Sequence, residues 1–309
     1  MELLEEFELR TKREVGEIVS AGIKFLRLNL SEIFTGYVYF VLPWMLVASA
    51  VTYISGGEVL SYLTVGNADF STDKLITTGI FYFMFVAAYM IAYGLIYSVI
   101  LRKDGYLEEN QNNSISIPKI SLKLFFFYAI VIGLIFILVG TISFVLMQIS
   151  LVILVIIAIF SMIGIVWVMV PLSIAPFVYI RENLGIIEAL KRSVNIIKGQ
   201  WGNTFLVIFV SSIIATMCSY LFLIPIYLIS FAFGFSMLDL SNGTLEGWFP
   251  TVILVLSSMV SILVNMYTIT CITLKYYDLV EQKEGTLLTH KISSIGSQKQ
   301  SLFENEGEF

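Results

Sequence analysis

Ionisable residues are missing from the middle of every long apolar stretch in this chain. At the bilayer centre such groups cost about 2.5 to 3.5 kcal/mol, and where they occur they mark proton relays, ion pathways or counter-ions. Their absence disfavours an ion-coupled transporter or a proton channel, and leaves only sites built from backbone carbonyls at broken helices. Histidine is nearly absent as well. His290 is the only one, so neither a multi-histidine metal site nor a histidine-based catalytic centre can be assembled. The chain has no Walker A loop, no Rossmann glycine fingerprint and no nucleophile elbow. The expectation is a protein that is not an enzyme, with no catalytic residues, no metal and no cofactor. The two cysteines, Cys218 and Cys271, both lie in apolar stretches, where a thiol behaves as a small hydrophobe; a disulfide framework is not expected.

What is present is apolar. Of 309 residues, 58% are hydrophobic and 13% charged, against about 25% charged in soluble proteins, and the mean hydropathy is +0.88. The chain belongs in a bilayer. Its net charge of −5 comes largely from the tails, with Glu2, Glu5, Glu6 and Glu8 at one end and Glu304, Glu306 and Glu308 at the other. That balance gives no support to nucleic-acid binding. The acidic start lacks a basic n-region and an early apolar core, so it does not read as a cleavable signal peptide, and the first span is expected to serve as the insertion signal.

Six stretches are long enough to cross, at about 34–54, 77–101, 124–147, 151–180, 204–231 and 250–274. The uncharged run between Lys123 and Arg181 fits two crossings, with Gln148 and Ser150 marking the turn. Seventeen of the eighteen lysines and arginines fall on one side of this topology, and only Lys74 on the other. Cationic loops stay cytoplasmic, so both ends are expected inside a bacterial inner membrane. The fold class is all-α: a polytopic bundle of six transmembrane helices with amphipathic interfacial helices on the cytoplasmic side. It divides into a cytoplasmic segment 1–33, a membrane domain 34–280 and a disordered tail 281–309. Ser55–Ile76 and Ala232–Phe249 read as solvated outer loops.

Two amphipathic stretches precede spans. From Lys12 to Leu30, Val15, Ile18, Val19, Ile23, Phe25, Leu26 and Leu30 share a face opposite Arg13, Glu17, Ser20, Lys24 and Arg27. This suits a helix lying in the interface with its stripe in the acyl boundary. From Glu182 to Trp201 a narrower stripe of Ile186, Leu190, Val194, Ile197 and Trp201 is flanked by Lys191 and Lys198. At a shift of 171 residues Glu17 matches Glu188, Lys24-Phe25-Leu26-Arg27 matches Asn195-Ile196-Ile197-Lys198, and Phe34 matches Phe205. With a shorter candidate at Ile115–Lys123, the pattern fits three units, each an interfacial segment followed by a hairpin of spans; chance likeness between short amphipathic stretches is the other reading. Glu182 and Glu188 read as a helix start and a solvated side.

Inside the spans, Pro43, Pro171, Pro176 and Pro225 each remove a backbone donor and free carbonyls that need partners. Ser211, Ser212, Thr216 and Ser219 can pair with Ser257, Ser258, Ser261 and Asn265, either as glue between helices or as an intramembrane polar site at Asn265 and Pro225.

Glu182-Asn183, Gly185, Glu188-Ala189, Ser193, Lys198-Gly199, Trp201 and Phe205, following an apolar span that ends with Pro176, resemble a signature of the membrane domain of glycerophosphoryl diester phosphodiesterases and related bacterial six-helix proteins. The opening Phe7-Glu8-Leu9-Arg10-Thr11, with Glu14, Gly16 and Glu17, is similar to the start of bacterial members. The resemblance implies the fold. In proteins of the full name catalysis belongs to a separate metal-dependent barrel, for which the residues after the sixth span are too few, so the activity is not implied.

The expected role is that of a scaffold or anchor for a membrane complex, or a lipid-interacting protein, whose partners are membrane lipids, anionic ones included, and other membrane proteins. Lys191, Arg192, Lys198 and Trp201 are the expected lipid or partner surface. The alternative is a permease for a neutral or amphiphilic substrate near Asn265 and Pro225; a third reading is a membrane component of glycerophosphodiester metabolism.

Overall fold

The computed structural model describes residues 8–54, 72–105, 117–146, 151–239, 244–245 and 248–285. The expected turn at Gln148 and Ser150, most of the first outer loop and all of the tail beyond Gly285 lie outside these residues.

The protein is an all-helical bundle with six helices long and apolar enough to cross a membrane. In chain order the helical segments are α1 (Val15–Leu28), α2 (Leu30–Gly36), a π-helical segment (Tyr37–Val41), α3 (Leu42–Ile54), α4 (Thr72–Lys103), α5 (Ile117–Leu146), α6 (Leu151–Arg181), α7 (Ile186–Ile197), α8 (Trp201–Met237) and α9 (Trp248–Glu284). The first span runs through α2, the π segment and α3. Pro43 explains the π segment: its ring would crowd the carbonyl four residues back in a regular helix, and the wider turn over Tyr37–Val41 makes room. Helices α8 and α9 extend into the expected second outer loop, where Leu238–Asp239 and Thr244–Leu245 form a two-residue antiparallel ladder.

Where the bundle is tightest, small residues let backbones approach. A Cβ added at Gly22 of α1 would lie 2.5 Å from Cys271 Sγ on α9, one at Gly36 2.4 Å from Leu95 on α4, and one at Gly94 of α4 2.3 Å from Ser121 Oγ on α5. Buried side chains gather toward one end of the bundle, where Leu95 to Leu101, Ile174 to Val178 and Ile269 to Leu279 meet. We call this the basic end. Toward the other end large apolar side chains are exposed, among them Tyr82 and Phe83 on α4 and Leu221, Phe222 and Leu228 on α8. A soluble protein does not display such a belt; a lipid-facing one does.

Helices α1 and α7 stand at the basic end in matching register. At a shift of 171 residues their first residues coincide (Val15, Ile186), as do the first residues of the helices they lead into (Leu30, Trp201). The buried face of α1, Ile18, Gly22 and Phe25, matches Ala189, Ser193 and Ile196, all buried on α7. Glu17 and Glu188 do one job: each accepts the backbone N–H three residues earlier, from Glu14 at 2.9 Å and from Gly185 at 3.1 Å, the returning half of a capping box.

The buried stripes face protein more than lipid. Gly22 and Phe25 pack with α9, whose Tyr267 hydroxyl donates to the Val19 carbonyl at 3.2 Å. On α7, Ile186 and Leu190 pack against Phe127, Val131 and Ala175 of α5 and α6, while Val194 and Ile187 stay exposed. Hydropathy alone cannot separate these two apolar surroundings. The shorter candidate at Ile115–Lys123 is, from Ile117 on, continuous with α5 rather than a separate helix. The pattern of neighbours is cyclic all the same: α1 packs on α9, α7 on α6, and the first turns of α5 on α4 at Gly94.

Candidate functional site: an arginine-lined cavity at the basic end

Helix α4 ends at Lys103, and the next residue, Asp104, folds back under the bundle with its side chain only 2% exposed. Two arginines hold it. Arg10 Nε donates to Oδ1 at 2.9 Å and Arg181 Nε to Oδ2 at 2.8 Å. A carboxylate buried this far needs such partners. The hydrogen bond it donates to Asp104 raises the pKa of Arg10 above its ordinary value, outweighing the lowering by partial burial, so Arg10 remains a cation.

Glu182, one residue beyond α6, accepts Arg192 Nε at 3.0 Å and the Tyr276 hydroxyl at 2.9 Å. It was expected to start the amphipathic helix; that helix begins instead at Ile186, and Glu182 lies before it in an ion pair, because α7 brings Arg192 back over the end of α6. Arg192 also pairs with Glu284 in the last turn of α9. Below lies a floor of rings, Phe177 with its centroid 5.1 Å from Tyr276 and 5.7 Å from Tyr277. Together Arg10, Arg181, Glu182, Arg192, Tyr276, Tyr277, Val280 and Glu284 line a cavity of about 200 Å³.

Beside it, Asp278 ties the start of the chain to its last helix. Its carboxylate, wholly buried, accepts Lys275 Nζ at 2.6 Å, the backbone N–H of Arg13 at 2.9 Å and Gln282 Nε2 at 2.8 Å.

Of the four residues expected to form a lipid or partner surface, two point outward. Lys191 and Lys198 are exposed and make no ion pair with described residues. Arg192 faces inward onto Glu182 and Glu284. Trp201 is half-buried, stacked between Trp167 (5.1 Å) and Phe205 (5.4 Å), and its indole N–H donates to the Trp167 carbonyl at 3.3 Å. That carbonyl is the one Pro171 cannot serve, four residues on.

The intramembrane pair is less convergent. Pro225 is exposed on α8 and Asn265 partly exposed on α9; at 1.5 Å per residue they lie roughly 36 Å and roughly 28 Å from the basic ends of their helices. Ser211 and Thr216 bond to carbonyls of their own helix, Ile208 at 3.0 Å and Ser212 at 2.8 Å, rather than to α9, and Ser261 of α9 meets Tyr89 of α4 at 3.3 Å. Among the described residues no cluster of His, Cys, Asp and Glu is arranged to hold a metal ion.

Asp104, Arg10, Arg181, Asp278 and the two tyrosines were not legible as a group, since each stands in a different stretch and reads alone as a loop charge or an interfacial aromatic. The one available signal was the 171-residue shift itself, which places Arg181 on Arg10. Compared with protein-family models, with curated proteins and with solved structures, the chain matches none of them.

Proposed function

We propose that this is a non-enzymatic integral membrane protein that engages anionic lipid headgroups at its basic end and so anchors or organises a membrane assembly. On this reading it sits in a bacterial inner membrane with both termini in the cytoplasm, in keeping with the one-sided distribution of its cations.

The observation that carries the proposal is one face of α7. Ile187, Lys191, Val194 and Lys198 recur at four, three and four residues, share that face and are all exposed. Apolar residues set between cations suit a helix at the boundary between acyl chains and anionic headgroups. Arg192 plays no direct part in that surface, because its guanidinium is spent on Glu182 and Glu284. A second feature fits the same role: an apolar groove of about 370 Å³ between the first span, α4 and α5, lined by Phe40, Trp44, Phe83, Met90 and Phe125, with exposed Lys119 and Lys123 near its Pro118 end.

The test is lipid selectivity. Purified protein carrying Lys191→Gln and Lys198→Gln should retain less phosphatidylglycerol relative to phosphatidylcholine in native mass spectrometry, whereas Arg192→Gln should alter stability more than selectivity. Unchanged selectivity in the double lysine variant refutes the proposal.

A further inference from the structure

The cavity at the basic end has hydrogen-bond donors to spare, while its buried carboxylates are already paired. Both oxygens of Asp104 are taken by Arg10 and Arg181, and Glu182 is occupied by Arg192 and Tyr276. What remains on the walls donates. Arg10 uses only Nε on described residues, leaving its two terminal amino groups. The Tyr277 hydroxyl is buried in a side chain 3% exposed, and although it lies beside Arg181 it has no hydrogen-bond partner of ordinary geometry among the described residues. A buried hydroxyl without a partner is costly and calls for an explanation.

The directions of these donors restrict what completes them. They come from four places in the chain: the segment before α1, the end of α6, helix α7 and the last turns of α9. A carboxylate accepts in one plane. A tetrahedral oxyanion accepts from several sides at once, and arginine forks match it bidentately. The cavity, about 200 Å³, is several times the share of a liquid water, about 30 Å³, and so has room for such a group with a small substituent. Glu284 marks an anion position already: its carboxylate sits on Arg192, yet it belongs to the last residue of α9 and is 37% exposed, so it is the one acidic group in the cavity free to swing out.

We propose that this cavity binds a phosphate-class oxyanion, as a free phosphate ester or as a lipid headgroup, which replaces the Glu284 carboxylate on Arg192 and accepts from Arg10 and the Tyr277 hydroxyl. The site is distinct from the outer face of Lys191 and Lys198 and does not depend on it.

The experiment is titration of the full-length protein, in a neutral detergent without added lipid, with inorganic phosphate by calorimetry. Tyr277→Phe removes the hydroxyl and keeps the ring against Phe177; it should weaken binding about tenfold, the loss of one good hydrogen bond. Glu284→Gln removes the competing carboxylate from an exposed position and should tighten binding several-fold. Melting temperatures close to that of the parent protein show that both variants fold. Repeating the titration in phosphatidylcholine nanodiscs with and without phosphatidic acid separates the sources: loss of phosphate binding only with phosphatidic acid assigns a lipid headgroup, and equal binding in both assigns a free ester. Absence of saturable phosphate binding, or an affinity unchanged in either variant, overturns the proposal. Binding lost alike in Lys191→Gln/Lys198→Gln would overturn its independence from the outer face.

Discussion

Arg10 and Arg181 hold the two oxygens of one carboxylate, Asp104, and stand at equivalent places in the 171-residue register that aligns α1 with α7. Replacing Asp104 by Ala removes the carboxylate that offsets two neighbouring cations, Arg181 with a side chain only 18% exposed. Removing one partner of a buried ion pair costs about 3–5 kcal/mol. The variant should melt well below the parent in the same detergent, and Arg181→Gln should cost more than Arg10→Gln, since the Arg10 side chain is 37% exposed. Melting of all three variants at the parent's temperature would show that the clamp carries no stability.

Trp201 and Pro171 are coupled through the Trp167 carbonyl. Trp201→Phe keeps the stack on Trp167 and Phe205 but loses the indole donor, with an expected cost of about 1 kcal/mol. In a Pro171→Ala background the helix supplies its own N–H to that carbonyl, and the same substitution should cost less. A double-mutant cycle by chemical denaturation measures this difference; additive effects would mean that the indole bond does not compensate the proline.

Gly22 sets the distance between α1 and α9. Gly22→Ala places a methyl carbon 2.5 Å from Cys271 Sγ and 3.2 Å from the Tyr267 ring, and overpacking of this kind costs about 1–3 kcal/mol. Gly22→Ala with Cys271→Ala should recover most of the loss, because the sulfur is the nearest atom. Thermal melts of the two single variants and the pair decide it, and a pair no more stable than Gly22→Ala alone would place the crowding elsewhere.

Asp278 joins Lys275, Gln282 and the backbone of Arg13. Asp278→Ala should release the segment before α1 as well as lower stability. Faster hydrogen exchange over residues 8–14, measured by mass spectrometry, is the expected sign. Exchange unchanged in that segment would mean that Arg10 alone anchors it.

Six spans and two amphipathic helices were legible in the sequence because length and periodicity act over many residues, and the structure places them where hydropathy does, with ends moved by several residues. The direction of the stripes was not. Ile18 and Phe25 look the same whether they face acyl chains or α9, and only the missing Cβ of Gly22 hints at a helix pressed close. Arg192 shows the converse limit. Its place beside Lys191 suggests an outward cation, but a helix turns 100° per residue, and one step is enough to bring it over Glu182.

The packing of α1 on α9 also bears on how the chain reaches this state. Helix α1 is made long before α9, on which it docks through contacts such as Val19 with Tyr267, 248 residues apart. Contacts so distant in sequence form late and slowly. During synthesis Ile18 and Phe25 must therefore wait without their final partner, and the bilayer surface is the natural place to hold them. The amphipathic character of α1 serves a temporary address first and a permanent one afterwards.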